Sequence, residues 1–434
     1  GLCIDEAIGM SLKPAIAAVV MLTLTCCLAL GQTEPLPFAE PESVGIDPER
    51  LQQLSDFIQR GIESGQTPGA VLLVARNGKI VLHEAYGERN PVTSEAMTRD
   101  SIFRIFSMGK GLTAAASLRL IERGELSFDA PLSNYLPEFS SMRVVDRTKI
   151  GFKRNTYATA EADEEINIAD LLRHSAGFGG YNFYPGYIGN LFRRAGVGSW
   201  NMSIAEATEN AAKIPLLYQP GTTYSYSETA YNTLGRTLEV VRNVPIGDVM
   251  RAELFEPIGM IDTGFEVPPD KADRVAERLD TGEEKPNWFD VTKPRKFHSP
   301  ANGIVSTSTD YWRFVQVLLD NGRAPTGAML LAPSSVDAML SDNVSDLRDG
   351  LIPRTVISKG WTWGLGLYVN VPNKPSMILG GSKGGLFMLA ANGGTAYIAS
   401  RKDNFVAILM NPQVEYIATE FATFATLALQ TIRD

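Results

Sequence analysis

Cysteine is nearly absent from this chain, and the little there is lies at one end. The 434 residues contain three cysteines, Cys3, Cys26 and Cys27, all of them in or before a segment that has the pattern of an export leader. If that leader is removed, the remaining chain has no cysteine, which excludes disulfides and thiolate metal sites from the folded domain.

Histidine is equally scarce, and the only examples are His83, His174 and His298. They fall in different predicted elements without the H-E-x-x-H spacing, so a catalytic zinc site is not indicated and we expect neither metal nor cofactor. His83 lies on a predicted strand, which favours a structural role, and His298 falls in a predicted loop. A serine nucleophile in this chain needs a base other than histidine.

Long basic runs are missing too, because Lys and Arg never occur more than two in succession and the net charge is −9. Proteins that bind nucleic acid or anionic membranes carry basic patches, so both partners are excluded. The balance of 44% hydrophobic and 21% charged residues is typical of a globular protein with a large core. We therefore expect a small-molecule ester or amide substrate, and the sequence leaves the oligomeric state open.

A long apolar run lies at 15–30, follows Lys13 and ends in the small-x-small site Ala29-Leu30-Gly31. This pattern predicts a signal peptide over residues 1–31, followed by a linker at 32–46. The run is slightly short for a spanning helix, which leaves a single membrane anchor as the alternative. We expect a periplasmic or secreted catalytic domain at 47–434, with no stable membrane partner after the leader is removed.

Strand signals lie at both ends of this domain, and helix signals lie between them. Asn77-Gly78 separates two β-prone runs, which predicts a hairpin, and a second strand pair is predicted at 395–399 and 405–410. This order predicts an α+β fold whose sheet comes from 47–100 and 355–434, with a helical lobe mainly at 107–320.

Helix periodicity and end signals locate the predicted helices. One begins after Asp47-Pro48, and the others are 168–174, 204–212, 231–241, 310–319 and 414–432. The polar stretches 144–165 and 267–297 are predicted to be surface loops, which often border active sites.

Ser107 and Lys110 lie three residues apart at the start of an Ala- and Leu-rich run that ends at Gly124. On a helix these side chains share a face, which would place an amine beside a hydroxyl at a helix N-terminus. Such an amine can accept the seryl proton and generate a nucleophile. The simpler alternative is a capping serine and a solvated lysine, since S-x-x-K occurs by chance in many chains.

A second serine, Ser382 in Gly380-Gly-Ser-Lys-Gly384, matches the G-x-S-x-G nucleophile elbow. In that fold the acid and the histidine follow the serine along the chain, whereas every histidine here precedes Ser382. We interpret the match as coincidental.

Tyr226 lies in the segment Pro220-Gly-Thr-Thr-Tyr-Ser-Tyr-Ser227, between a Pro-Gly turn and a predicted helix. It is a candidate base, and the alternative is a core tyrosine with a satisfied hydroxyl. Aromatic side chains that follow His174 could line an apolar acyl pocket or belong to the core. They are Tyr181, Phe183, Tyr184, Tyr187, Phe192 and Trp200.

Five segments occur in a familiar order. They are Phe103-Arg-Ile-Phe-Ser-Met-Gly-Lys110, Ile168-Ala-Asp-Leu-Leu-Arg-His-Ser-Ala-Gly177, Pro220-Gly-Thr-Thr-Tyr-Ser-Tyr-Ser227, Ala301-Asn-Gly-Ile-Val-Ser-Thr-Ser308 and Lys383-Gly-Gly385. Together they resemble the serine β-lactamase and penicillin-binding-protein superfamily, in particular its class C branch and the family VIII carboxylesterases. The resemblance covers roughly residues 42–431.

The resemblance implies a β-lactamase/transpeptidase-like fold, with a five-stranded antiparallel sheet flanked by helices, an all-helical lobe and a site between them. It implies that Ser107 is acylated, that Lys110 accepts its proton, and that Tyr226 activates Ser107 and later the deacylating water. Lys383, Gly384 and Gly385 would bind substrate. The oxyanion would be held by the Ser107 N–H and by an N–H from the strand near 383–386.

Two residues depart from the family pattern. Glu228 stands where β-lactamases carry asparagine, and its charge would repel a substrate carboxylate, which argues against a β-lactamase. Lys383 stands where β-lactamases have lysine and many of the esterases have tryptophan, which favours a β-lactamase. The sequence predicts an exported serine hydrolase that cleaves short-chain carboxylic esters through an acyl-enzyme on Ser107. The alternatives are a β-lactamase or D-amino-acid peptidase, and a non-catalytic module that uses the same fold for binding.

Overall fold

The structure is a computed structural model that describes residues 36–150, 157–179, 187–279, 288–350, 360–376, 378 and 384–433. The chain divides into two units, Gly1–Pro37 and Phe38–Asp434. The predicted signal peptide lies in the first unit and outside the described residues. Among the residues that are described, no helix combines the length and the apolar character needed to cross a bilayer.

An antiparallel sheet forms from the two ends of the second unit. In chain order, the described strands are β1 Gly69–Arg76, β2 Lys79–Asn90, β3 Glu95–Ala96, β4 Phe103–Arg104, β5 Arg143–Ile150, β6 Tyr157–Glu161, β7 Thr223–Tyr224, β8 Val305–Ser306, β9 Arg348–Asp349, β10 Trp361–Trp363, β11 Tyr368–Asn370, β12 Leu386–Ala390, β13 Ala396–Ser400 and β14 Phe405–Met410. The sheet has the strand order β10-β11-β12-β13-β14-β1-β2-β3. Both predicted strand pairs, β1 with β2 and β13 with β14, are therefore confirmed.

The sheet has eight described strands where the family resemblance implied five. The five longest, β12, β13, β14, β1 and β2, have five to twelve residues and lie at the centre in that order. The other three have two or three residues and extend the edges, β11 and β10 beyond β12 and β3 beyond β2. The five-stranded centre of the sheet is unchanged by these short additions.

The described α-helices are α1 Pro48–Glu63, α2 Gly109–Glu122, α3 Ile168–Leu172, α4 Tyr187–Arg194, α5 Ile204–Ala212, α6 Glu228–Arg242, α7 Ile246–Met250, α8 Glu256–Ile258, α9 Ser308–Leu319, α10 Pro333–Met339 and α11 Val414–Gln430. Their ends follow the expected local chemistry. The Asp47 carboxylate accepts hydrogen bonds from the first N–H groups of α1, and Gly124, just after α2, has a φ of +71° that glycine adopts without strain.

Helices cover both faces of the sheet. On β2, His83 Nε2 lies 2.9 Å from the Ser308 hydroxyl at the start of α9. Tyr86, three residues further along the strand, points to the opposite face of the sheet, where α1 packs against β2. β1 is buried at all but its last position, which explains why it is a continuous apolar run.

The middle of the chain is not entirely helical, and the prediction of a surface loop at 144–165 is wrong. In the stretch 144–165, β5 and β6 pair in antiparallel register. The Val145 N–H donates to the Leu216 carbonyl oxygen at 2.9 Å, and the Val145 side chain is buried. The stretch was predicted to be a loop because most of its residues are polar, and its few buried valines did not form a recognisable strand pattern. In the other predicted loop, 267–297, the described residues form a single short 3-10 helix, Pro269–Arg274.

Candidate active site

Ser107 lies in a 3-10 helix, Phe106–Met108, directly before α2. Phe106 has a φ of +40°, a left-handed conformation that costs free energy for a bulky residue. Gly393 packs against this turn, and a Cβ there would lie 2.4 Å from both the Arg104 carbonyl oxygen and Phe106 Cδ2. The turn that presents Ser107 at a helix N-terminus therefore requires glycine at position 393.

Lys110 lies in the first turn of α2 and is fully buried. Its Nζ lies 3.1 Å from Ser107 Oγ and donates to the Ala301 carbonyl oxygen at 3.0 Å. Burial lowers the pKa of Lys110 to about 8, although the negative charge of Glu228 acts in the opposite direction. A sizeable fraction of this amine is therefore neutral near pH 8 and able to accept a proton.

Tyr226 lies in the connection between β7 and α6, and its hydroxyl donates to Ser107 Oγ at 2.8 Å. Lys110 Nζ lies 4.8 Å from the centroid of its ring. Burial raises the pKa of Tyr226 well above its ordinary value, so the phenol keeps its proton at neutral pH. Of the two groups on Ser107, the lysine is the better base and the tyrosine the better proton donor.

Glu228 is the first residue of α6 and is 3% exposed. Its negative charge raises the pKa of both Lys110 and Tyr226. The residue that departs from the β-lactamase pattern therefore acts on the electrostatics around Ser107 from a buried position.

The glycines of the expected third motif lie elsewhere. Gly384 and Gly385 precede β12, and the Gly385 carbonyl accepts from the Arg401 N–H at 2.9 Å. Gly393, which packs against the Ser107 turn, follows the other end of that strand. A five-residue strand spans about 17 Å, so Gly384 and Gly385 lie at the opposite end of β12 from the glycine that packs against the Ser107 turn. Their role in substrate binding stays a prediction. Lys383 and Ser382 lie outside the described residues.

The open edge of β12 provides a different backbone donor. The Leu386 N–H donates to Asn370 Oδ1 at 2.7 Å, and β11 pairs with β12 only at Phe387 and Met388. Because backbone groups alternate between the two edges of a strand, the Ala390 N–H faces the same edge as that of Leu386, beyond the end of β11. Ala390 is also the only residue of β12 that is not buried. Because the Leu386 N–H is already bonded to Asn370, the Ala390 N–H is the better candidate of the two for the second oxyanion donor.

Only part of the aromatic cluster can be placed. Tyr181, Phe183 and Tyr184 lie outside the described residues. Phe192 is fully buried in the core. Trp200 lies against Phe289 with ring centroids 4.2 Å apart, and Phe289 lies 5.9 Å from Phe106. Trp200 is therefore linked by ring contacts to the Ser107 turn.

A group of side chains packs beside this turn that was not predicted from the sequence. The Phe106 ring stacks on Trp288 at 6.2 Å, and the Arg104 guanidinium lies 4.4 Å from the Trp288 ring centroid. Arg104 is almost fully buried and pairs with Glu277 at 3.0 Å. A cavity of about 400 Å³ opens along Arg104, Trp288 and Phe289. The sequence did offer one signal, because Arg104 is a charged residue among the apolar residues that precede Ser107. Trp288 and Phe289 gave no signal, since they lie in a polar stretch without periodicity.

The remaining polar clusters offer no metal site within the part of the chain that the structure describes, since no three His, Cys, Asp or Glu side chains converge there. His298 lies in a loop, where its ring stacks on Phe265 and its Nε2 lies 3.1 Å from Glu266.

The chain is similar to known proteins in sequence and in fold. The sequence profile of the family named Beta-lactamase matches residues 54–423. Protein Rv1367c of Mycobacterium tuberculosis is 31% identical over 299 residues, which is 67% of this chain and 71% of that protein. Esterase EstB of Burkholderia gladioli is 30% identical over 231 residues, 52% of this chain and 54% of the esterase. Among solved structures, "EstCE1, a hydrolase with promiscuous acyltransferase activity" shares the fold with a TM-score of 0.69 at 20% identity, covering 87% of this chain and 98% of that one.

Proposed function

Because the chain belongs to the Beta-lactamase family of serine hydrolases, we propose that its substrate is a short-chain carboxylic ester, cleaved through an acyl-enzyme on Ser107. The observation that carries the proposal is the convergence of Lys110 Nζ and Tyr226 OH on Ser107 Oγ, at 3.1 and 2.8 Å. A hydroxyl that contacts both a base and a proton donor has what acyl transfer needs. The 30% identity to Esterase EstB supports an ester as the substrate.

In the proposed acylation step, neutral Lys110 accepts the proton of Ser107 as the seryl oxygen attacks the ester carbonyl carbon. The resulting oxyanion faces the Ser107 N–H, where the dipole of α2 favours negative charge, and the Ala390 N–H. When the bond to the alcohol breaks, the leaving oxygen takes a proton from the Tyr226 hydroxyl, which Lys110 then reprotonates. The alcohol departs, Ser107 carries the acyl group, and Lys110 is neutral again.

Deacylation uses the same groups with water in place of serine. Lys110 accepts a proton from water as the water oxygen attacks the acyl carbon. The bond to Ser107 Oγ then breaks, and the seryl oxygen regains a proton through Tyr226. The products are a carboxylic acid and the free enzyme, so the steps need neither metal nor cofactor.

The buried carboxylate of Glu228 supports a neutral ester over an anionic β-lactam or peptide. A penicillin, a cephalosporin or a D-amino-acid peptide brings its own carboxylate, which the charge of Glu228 disfavours. A simple ester has no such group and meets no repulsion.

The experiment that tests the proposal compares two chromogenic substrates, p-nitrophenyl butyrate and a cephalosporin, on the domain and its Ser107→Ala variant. We expect ester hydrolysis that is lost in Ser107→Ala by a factor of about 10³ or more, with little cephalosporin turnover. Ser127→Ala is the matched control and should keep full activity, because Ser127 is exposed and follows the opposite end of α2 from Ser107. Rapid quenching followed by mass spectrometry should find the butyryl group on Ser107.

Other outcomes have definite meanings. Dominant cephalosporin turnover would place the protein among the β-lactamases. Ester hydrolysis that persists in Ser107→Ala would overturn the nucleophile assignment and direct attention to Ser382. Inertness toward both substrates and toward acylating probes would favour a non-catalytic binding module.

A further inference from the structure

We infer that His174 is a positioning residue that holds Tyr226 in line with Ser107, a role that neither the family match nor the motif itself assigns. The inference rests on the proposed function, in which the Tyr226 hydroxyl delivers a proton at Ser107. Within the described part of the chain, no hydrogen bond or ring contact joins His174 to Ser107, so its effect passes through the tyrosine.

The backbone on both sides of Tyr226 is anchored to this one histidine. The Ser225 N–H donates to the His174 carbonyl oxygen at 2.9 Å. The Ser227 N–H donates to His174 Nδ1 at 3.2 Å. Tyr226 lies between these two anchors, in a connection that is otherwise neither helix nor strand. Its Cα position is therefore fixed by the main chain and the side chain of His174 together.

The ring of His174 also fixes the ring of Tyr226. The two centroids are 4.5 Å apart, and on its other sides the imidazole meets Trp363 at 4.7 Å and Tyr231 at 5.0 Å. Trp363 Nε1 and Tyr231 OH both donate to the Leu172 carbonyl oxygen at 3.0 Å, so these two neighbours are themselves held in place. The imidazole is the central member of a buried aromatic cluster.

The backbone conformation of His174 is unfavourable in free energy and must be stabilised by the contacts around it. Its φ is +57°, in the left-handed region that side chains rarely adopt. Since Nδ1 accepts a hydrogen bond, the ring proton lies on Nε2, which is buried and has no hydrogen-bond partner among the described atoms. An apolar side chain could fill the same space without a buried N–H that lacks a partner, so packing alone does not explain a histidine in this strained conformation.

The neutral form of the imidazole is essential to this arrangement, because a protonated Nδ1 could not accept from Ser227. Burial, together with the positive charge of Lys110, holds the pKa of His174 well below its ordinary value. The acceptor is therefore retained at neutral pH.

Two substitutions separate the contributions of the imidazole. His174→Phe keeps a ring and loses the acceptor. His174→Asn places an oxygen near the position of Nδ1, loses the ring, and suits a left-handed φ. Each is combined with Tyr226→Phe in a double-mutant cycle, measured on p-nitrophenyl butyrate with thermal unfolding as the control for folding.

We expect His174→Phe to lower kcat by about 10- to 100-fold with little change in KM, because small displacements of a catalytic group are costly. His174→Asn should recover part of that loss. In the Tyr226→Phe background, His174→Phe should lower kcat by less than about 2-fold, since the hydroxyl it positions is already gone.

Equal losses from His174→Phe in the two backgrounds would overturn the inference while leaving the proposed function intact. Unchanged turnover in Tyr226→Phe alone would instead contradict the proposed function. If His174→Phe fails to fold, the cycle with His174→Asn decides the question by the same comparison of backgrounds.

Discussion

Lys110 keeps its amine in surroundings that disfavour the ammonium form. Burial lowers its pKa to about 8, and only the neutral amine can take the proton of Ser107. We therefore expect kcat/KM for p-nitrophenyl butyrate to rise with pH and to level off above about 8. The measurement is a pH–rate profile, and a profile that is flat through this range would contradict the assignment of Lys110 as base. Lys110→Arg, whose side chain stays charged, should lose activity at every pH.

Glu228 adjusts that same equilibrium. Its negative charge favours the ammonium form of Lys110 and raises the pKa of the amine. Glu228→Gln removes the charge at nearly constant volume, so the rising limb of the pH–rate profile should move to lower pH. Glu228→Asp keeps the charge and is the matched control, with its midpoint close to that of the unmodified enzyme.

The same carboxylate also bears on substrate choice. Glu228→Asn restores the residue that β-lactamases carry at this position and should raise the ratio of cephalosporin to ester turnover. An unchanged ratio, together with an unshifted pH profile in Glu228→Gln, would remove Glu228 from both roles.

At the scale of elements, the turn that carries Ser107 depends on the loop between β12 and β13. A Cβ on Gly393 would lie 2.4 Å from the Arg104 carbonyl and from Phe106, so Gly393→Ala should push the turn away from the sheet. We expect a loss of about 1–3 kcal/mol in the free energy of unfolding and a fall in kcat. Chemical denaturation and ester kinetics measure the two effects.

Gly247→Ala is the matched control for this substitution. Gly247 lies in α7, and its Cβ would make only ordinary contacts, 3.6 Å or more from Phe265 and His298. That variant should be as stable as the original protein or slightly more so, because alanine is favoured over glycine in a helix. Equal effects of the two alanines would argue against a specific role for Gly393.

Local chemistry made much of the fold predictable. The Asp47-Pro48 start of α1 and the Asn77-Gly78 hairpin follow from rules that involve a few adjacent residues. The helix predicted at 204–212 also matches the bounds of α5, Ile204–Ala212. By contrast, β5 and β6 depend on Leu216, far along the chain, and no local pattern reveals that contact.

The candidate site shows the same division between local and distant information. The pairing of Ser107 with Lys110 follows from helical spacing, and Tyr226 was found through the motif around it. Glycine pairs stand both before β12, at Gly384 and Gly385, and after it, at Gly393 and Gly394, and the sequence alone does not show that Gly393 packs against the Ser107 turn. The contact of Lys110 with Ala301 joins residues 191 positions apart, beyond the reach of spacing rules.

At the scale of the whole molecule, we propose export. The apolar run at 15–30 and the site at Ala29-Leu30-Gly31 predict removal of the leader. When the full chain is produced in a bacterial host, the mature protein should be recovered from the periplasm with its N-terminus after Gly31 and without cysteine. N-terminal sequencing and mass spectrometry check both points. An intact leader in the membrane fraction would instead indicate an anchor.

The central pairing of β1 with β14 has a consequence for how this chain acquires its structure. Val71 pairs with Met410, a separation of 410 − 71 = 339 residues, so the sheet cannot close until nearly all of the domain has been synthesised. Contacts of such long range slow folding. Until β14 has been synthesised, the apolar β1 has an unpaired edge. A chain that stays unfolded until its last strand emerges also remains narrow enough to be threaded through a translocation pore. The topology that delays folding at the ribosome would thus keep the protein competent for secretion.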